Sequence, residues 1–146
     1  MTATLSTQAE WFSNYVSSTM SVLGVHEPDS DGDLPVRGVT SPGWVRVQTH
    51  QPWGARIFAY AATGVPAKVA VYKELNAAML ADRAVRVFLT DTGAVVVDQL
   101  VLADTVGTDT LRRAVKRVLK VADRLGPVLT ALHGGSVPLP PIAPEG

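Results

Sequence analysis

The chain is predicted to fold as an α+β domain. The expected order is a helix, a three-stranded antiparallel meander, a helix, a two-stranded hairpin, and a long C-terminal helix packed on one face of the sheet. Three observations predict this. Apolar residues recur at three- and four-residue steps over 7–23, 66–82 and 109–125. They alternate or run continuously between 34 and 64 and again between 84 and 104. Turn-forming residues separate these stretches.

In the first helix, residues 7–23, Thr7 and Glu10 fit a capping box, and Phe12, Tyr15, Val16, Thr19 and Leu23 form the apolar stripe. Gly24 suits the left-handed residue that ends a helix. "LPVRGV", "WVRVQTH" and "ARIFAYAAT" read as three strands joined through "TSPG" and "QPWG". Pro66 fits the first turn of a second helix, 66–82, with Val69, Tyr72, Leu75, Ala78, Met79 and Asp82 on its inner face and edge. "AVRVFLTD" and "AVVVDQLVLAD" form a hairpin through Asp91-Thr92-Gly93. Thr108 or Asp109 caps the last helix, which carries Leu111, Val115, Val118, Leu119, Ala122 and Leu125 inward. Gly126-Pro127 is expected to bend or break it before it ends near His133. Residues 1–135 are thus expected to form one domain, and the Pro-rich residues 136–146 a flexible tail.

Composition narrows the function classes. At 146 residues, 47% hydrophobic and 18% charged, the chain suits one globular domain burying roughly 70% of its unfolded surface. Thirteen basic residues balance 13 acidic ones, so no global field recruits nucleic acid or an anionic membrane. The absence of cysteine excludes disulfides, iron–sulfur clusters and thiol nucleophiles. No signal-peptide pattern opens the chain, no apolar run is long enough to span a membrane, and a cytoplasmic location is expected.

Taken together, several short motifs carry a resemblance. They are the acidic turn Asp29–Asp33 leading into "LPVRG", the Leu75-Asn76 pair, the Asp91-Thr92-Gly93 hairpin before "AVVV", and His133-Gly134-Gly135. In this order and spacing the chain resembles the type III secretion chaperone and YbjN-like superfamily, especially its actinobacterial chaperone-like members. The resemblance spans about residues 7–135. It implies a non-enzymatic, homodimeric domain that binds an extended segment of another protein. The chain is neutral where secretion chaperones are strongly acidic.

Two stretches suggest other chemistry. Asp29, Asp31 and Asp33 open like an EF-hand loop, but position 6 is Leu34, position 12 is Thr40, and a strand pattern follows. Their expected role is a solvated turn, with no metal. Asp91-Thr92-Gly93-Ala94 spells an aspartic-protease signature, and a dimer could supply one carboxylate per chain. The protease context is missing, however: three helices flank the motif and no flap follows it.

Arg112, Arg113, Lys116, Arg117, Lys120 and Arg124 line one side of the last helix. Without stacking aromatics beside them they read as its solvated face, with nucleic-acid binding as the rival reading. His26, His50 and His133 share no metal-ligand spacing. No catalytic set is complete and no cofactor is expected. The expectation is therefore a protein- or peptide-binding domain, with Trp11, Trp44, Trp53 and Phe58 as candidate anchors. A dimeric aspartic protease using Asp91 and a nucleic-acid regulator using the basic helix are the alternatives.

Overall fold

The computed structural model describes residues 2–48 and 52–140, and side chains from residue 9 onward within the first helix. The elements are α1 (Thr2–Val22), β1 (Leu34–Arg37), β2 (Pro42–Gln48), β3 (Gly54–Ala62), α2 (Val69–Ala81), β4 (Arg86–Leu89), β5 (Val95–Leu102) and α3 (Thr110–His133). One antiparallel sheet runs β1-β2-β3-β5-β4, so the hairpin docks its second strand against the end strand of the meander. This is the predicted α+β layout.

Alternation along the strands divides the sheet into two faces. Val45, Ala55, Ile57, Ala59, Val87, Val97 and Val101 are buried on one face, in a single core with Phe12, Val16 and Met20 of α1 and Leu111, Val118 and Leu129 of α3. α3 crosses β3 and β5, α2 packs on β4 and the flank of α3, and α1 meets α3. The small residues of β3 let α3 come close. A Cβ at Gly126 would collide with the backbone oxygen of Ala61, so helix and strand touch without side chains between them.

Helix boundaries account for most of the departures from expectation. α1 begins at Thr2, so Thr7 lies inside the helix and cannot be its N-cap, a position that needs a non-helical backbone. Nothing in "TATLSTQ" breaks a helix. Its end is as expected, with Gly24 at φ +84° and Val25 N–H donating to the Met20 carbonyl at 2.8 Å.

α2 starts three residues beyond Pro66. Val65 is buried and donates to the Gly93 carbonyl, which holds the chain extended as far as Lys68. That delay turns the inner face to Val71 and Leu75, while Val69 and Tyr72 face outward.

α3 does not break at Gly126-Pro127. Pro127 forfeits one helical hydrogen bond. Leu125, Gly126 and Leu129 are nevertheless buried on either side of it, so packing on the sheet carries the helix through. Within this helix Asp123 accepts the backbone N–H groups of Val39 and Thr40 at 2.8 and 3.0 Å, tying the β1–β2 turn to the helix layer. After α3, Thr63 and Ser136 exchange backbone hydrogen bonds, and Leu139 N–H donates to the Thr40 carbonyl.

Candidate functional site

The second face of the sheet lies opposite the helices. Its residues follow from period two: Trp44, Arg46 and Gln48 on β2; Arg56, Phe58 and Tyr60 on β3; Val96, Asp98, Leu100 and Leu102 on β5; Arg86 and Phe88 on β4. Strand register aligns them in rows. Pro35, Trp44, Phe58, Asp98 and Arg86 form one row across all five strands. Arg46, Arg56 and Leu100 form the next, and Tyr60, Val96 and Phe88 another.

Aromatic rings make the floor of this face. Trp44 stacks on Phe58 with centroids 5.5 Å apart, and Tyr60 meets Trp44 edge-on at 5.6 Å. Guanidinium groups lie over the rings. Arg46 and Arg56 both cover Phe58, at 5.2 and 5.0 Å from its centroid, and Arg86 covers Phe88 at 5.7 Å.

Two carboxylates hold these arginines flat. Asp98 is only 1% exposed and accepts from Arg56 Nε at 2.9 Å and Arg86 Nε at 2.8 Å. Asp33 accepts from Arg46 Nε at 3.0 Å and Nη2 at 2.7 Å. The Asp98 hydrogen bond, and then its charge, raise the Arg86 pKa above the ordinary arginine value. The Asp33 hydrogen bond does the same for Arg46. The sign follows: a raised basic pKa adds stability that is fully present at neutral pH and lost only in strong alkali.

The acidic turn has a structural explanation. Asp29 Oδ1 accepts the backbone N–H groups of Asp31 and Asp33 at 3.0 and 2.9 Å, with Gly32 at φ +83°. Carboxylate oxygens of the three aspartates lie within 4.8 Å of one another. Two of those carboxylates already have partners, since Asp29 caps its own turn and Asp33 is bound to Arg46. The loop aims Asp33 at Arg46.

Of the four candidate anchors, Trp44 and Phe58 come together at the centre of this face. Trp53 lies half-buried at the end of the sheet, where its carbonyl accepts the Ala103 N–H at 3.0 Å. Trp11 is 54% exposed on α1 and stacks on Tyr15 at 5.9 Å. It borders a separate cavity of about 640 Å³, with Val22 and Tyr15 on one side and Val106 and Arg112 on the other.

The period-two reading did not single out Tyr60, Phe88, Arg46, Arg56, Arg86 or Asp98. Their signal was the polar and aromatic alternation in "WVRVQ", "ARIFAY" and "RVF", together with one aspartate inside the valine run "AVVVDQLV".

Among the described residues, the remaining motifs lie at separate places in the fold. Asp91 is exposed at the hairpin tip, where Gly93 takes φ +88° and Thr90 N–H donates to the Ala94 carbonyl at 2.8 Å. On α3, Arg113, Lys116, Lys120 and Arg124 are exposed, while Arg117 reaches Gln99 and Asp82 and Arg112 reaches Asp109. His26 is exposed in a loop, His133 closes α3, and His50 lies outside the described residues.

Comparison with known proteins places this fold. A family model, the type III secretion system (YopN, CesT) and YbjN peptide-binding chaperone 1, TY-Chap1, matches residues 10–141. The chain belongs to this family. Three solved structures similar to this TY-Chap1 chain share its fold at low identity. The ExsC–ExsE complex superposes with TM-score 0.62 at 11% identity, over 80% of this chain and 91% of the other. The heterodimeric ExoU–SpcU complex of the Pseudomonas aeruginosa type III secretion system gives 0.59 at 20% identity, over 80% and 98%. YbjN from E. coli gives 0.59 at 17% identity, over 87% and 94%. No curated protein matches the sequence. The matching family is one of peptide-binding chaperones, and it gives no support to the protease alternative. Among the described residues, no helix is long and apolar enough to cross a membrane.

Proposed function

We propose that this TY-Chap1 protein is a non-enzymatic, cytoplasmic chaperone-type module that lays an extended segment of another protein across the open face of its sheet. The observation that carries the reading is the row of Trp44, Phe58, Asp98 and Arg86 in register on a face that, among the described residues, has no helix over it. Ring stacking fixes this surface before any partner arrives, which lowers the ordering cost of binding. The family's peptide-binding description and the two protein complexes among its structural relatives support the same reading. Trp44 and Phe58 are the central anchors. Trp11 and its cavity offer a second contact for a longer or helical segment, and Trp53 sits at the end of the track.

The module acts as a homodimer in this reading. Val69, Tyr72 and Leu80 of α2 and Val128 and Leu132 of α3 are exposed apolar residues on neighbouring helices, away from the open face. Light scattering on the purified protein tests this. A dimer that Leu80→Asp converts to a monomer is the expected result, and a wild-type monomer refutes it.

The test of the peptide site is Trp44→Ala. Binding of extended peptides, read by fluorescence anisotropy, is expected to weaken at least tenfold, about 1.4 kcal/mol. Thermal unfolding should shift by only a few degrees. Unchanged peptide affinity in a folded Trp44→Ala protein refutes the site.

A further inference from the structure

The charge on the open face is lopsided. Its strands carry Arg37, Arg46, Arg56 and Arg86 against Asp98, while Asp33, Asp31 and Asp29 of the turn before β1 all act on Arg46. Asp98 and Asp33 are buried beneath the guanidinium groups, with side chains 1% and 5% exposed. The arginines stay open to solvent. The Arg86 side chain is 71% exposed, Arg46 50% and Arg56 31%. A ligand approaching Arg56 and Arg86 therefore meets cations while their balancing Asp98 lies behind them, and the exposed Asp31 flanks only the Arg46 end.

One pair concentrates that charge. Arg46 and Arg56 are direct cross-strand partners. Like charges at such positions repel, and a pairing of this kind is ordinarily destabilising. Here each is pinned by its own carboxylate, and the two guanidinium groups share a single phenylalanine. Guanidinium geometry favours planar, bidentate carboxylate partners.

We propose that the segment bound on this face is acidic, with a glutamate or aspartate side chain seated between Arg46 and Arg56 and a further one at Arg86. This rests on the peptide-binding reading and adds the chemistry of the peptide. Residues two apart on an extended segment point the same way, so alternate acids reach the arginines while the residues between face solvent or the partner's own body. A second copy of the chain is the wrong occupant, because a two-fold contact through this face would set one arginine-rich patch against another. Single-stranded nucleic acid fits less well. The Phe58 ring lies under guanidinium groups and against Trp44, leaving little free ring for base stacking, and the chain's net charge is zero.

The experiment uses fluorescein-labelled decapeptides of alternating glutamate and valine, with glutamine–valine and lysine–valine versions and a ten-nucleotide oligo-dT as competitors for the assignment. The glutamate peptide is expected to bind the full-length protein at least about tenfold tighter than the glutamine peptide at low salt. That advantage should shrink as salt rises from about 0.02 to 0.5 M. Arg46→Gln and Arg56→Gln, which keep a side-chain N–H for the aspartate behind, should each remove most of the glutamate-over-glutamine advantage. The salt titration on wild-type protein decides the matter even where a variant folds poorly.

Equal binding of glutamate and glutamine peptides, both weakened by Trp44→Ala, overturns the acidic preference and leaves the peptide site standing. Preference for the lysine peptide overturns it outright. Binding of oligo-dT with no binding of any peptide overturns both readings and makes the face a nucleic-acid surface.

Discussion

The two faces of this sheet are built from the same strands and obey different rules. Toward the helices, β3 presents Ala55, Ile57, Ala59 and Ala61, all fully buried, and α3 lies directly on them. Away from the helices the same strand presents Arg56, Phe58 and Tyr60, side chains that are partly exposed, with Arg56 over the Phe58 ring and Tyr60 edge-on to Trp44. The covered face removes apolar surface from water and excludes voids, so its side chains are small and aliphatic. The open face keeps large planar groups that a binding surface uses, and it neutralises their charge from behind. A strand with one side chain per face at each step can serve both purposes, since stability is supplied on one side and contact chemistry on the other.

The largest effect that would sharpen this contrast comes from neighbouring truncations on opposite faces. Ile57→Ala should cost about 2–5 kcal/mol, because it opens a cavity in the closed core. Leu100→Ala, at a position 40% exposed on the open face, should cost under about 1 kcal/mol. Urea unfolding of the two variants measures the gap. Similar losses would mean that the open face is a second core covered by something in solution.

Next in size is Gly126→Ala. Helix propensity alone predicts a gain of about 1 kcal/mol. The added Cβ meets the Ala61 backbone oxygen, so α3 must lift from β3, and a net loss of about 1–3 kcal/mol is expected. A stabilised variant would show that the helix is not seated as closely as described.

Asp98→Ala probes the open face itself. It removes the hydrogen-bond acceptor shared by Arg56 and Arg86, and hydrogen bonds to charged groups contribute about 1.5–3 kcal/mol. Both arginines can reach water, so a loss near the lower end is expected, along with freer guanidinium groups. Chemical denaturation gives the first quantity, and nitrogen relaxation of the arginine Nε–H groups gives the second.

How much of this was legible beforehand depends on what each feature rests on. Element types rested on periodicity and were readable: the α+β order, the meander, the hairpin at Asp91-Thr92-Gly93 and the inner stripe of α3 all follow from it. Helix ends rested on tertiary contacts. Pro66 looked like a helix start because nothing local reveals that Val65 is tied to Gly93. Gly126-Pro127 looked like a break because propensity is blind to the sheet beneath. The open face, as a candidate site, was half legible in its residue types. Trp44 and Phe58 stand out by type, whereas the arginine and aspartate network depends on the register that pairs Arg46 with Arg56 and Phe58 with Asp98. Pairing across 42 residues, as between Arg56 and Asp98, leaves no local mark.

The smallest predicted effect separates the two apolar surfaces. Trp11 is exposed beside its own cavity on the helix side, held chiefly by its stack on Tyr15. Trp11→Ala should therefore cost about 0.5 kcal/mol of stability, close to an ordinary surface substitution. Tyr15 keeps its place independently, because its hydroxyl donates to the Gly107 carbonyl at 2.6 Å and accepts the Leu111 N–H. For a short extended peptide seated on the open face, Trp11→Ala should leave affinity within about twofold of wild type while Trp44→Ala reduces it tenfold or more. A longer partner that also reaches the cavity would respond to both, and the two losses should then add, since separated sites couple weakly. If Trp11→Ala alone abolished binding of the short peptide, the segment would lie along α1, and the open face would have to be explained by something other than this ligand.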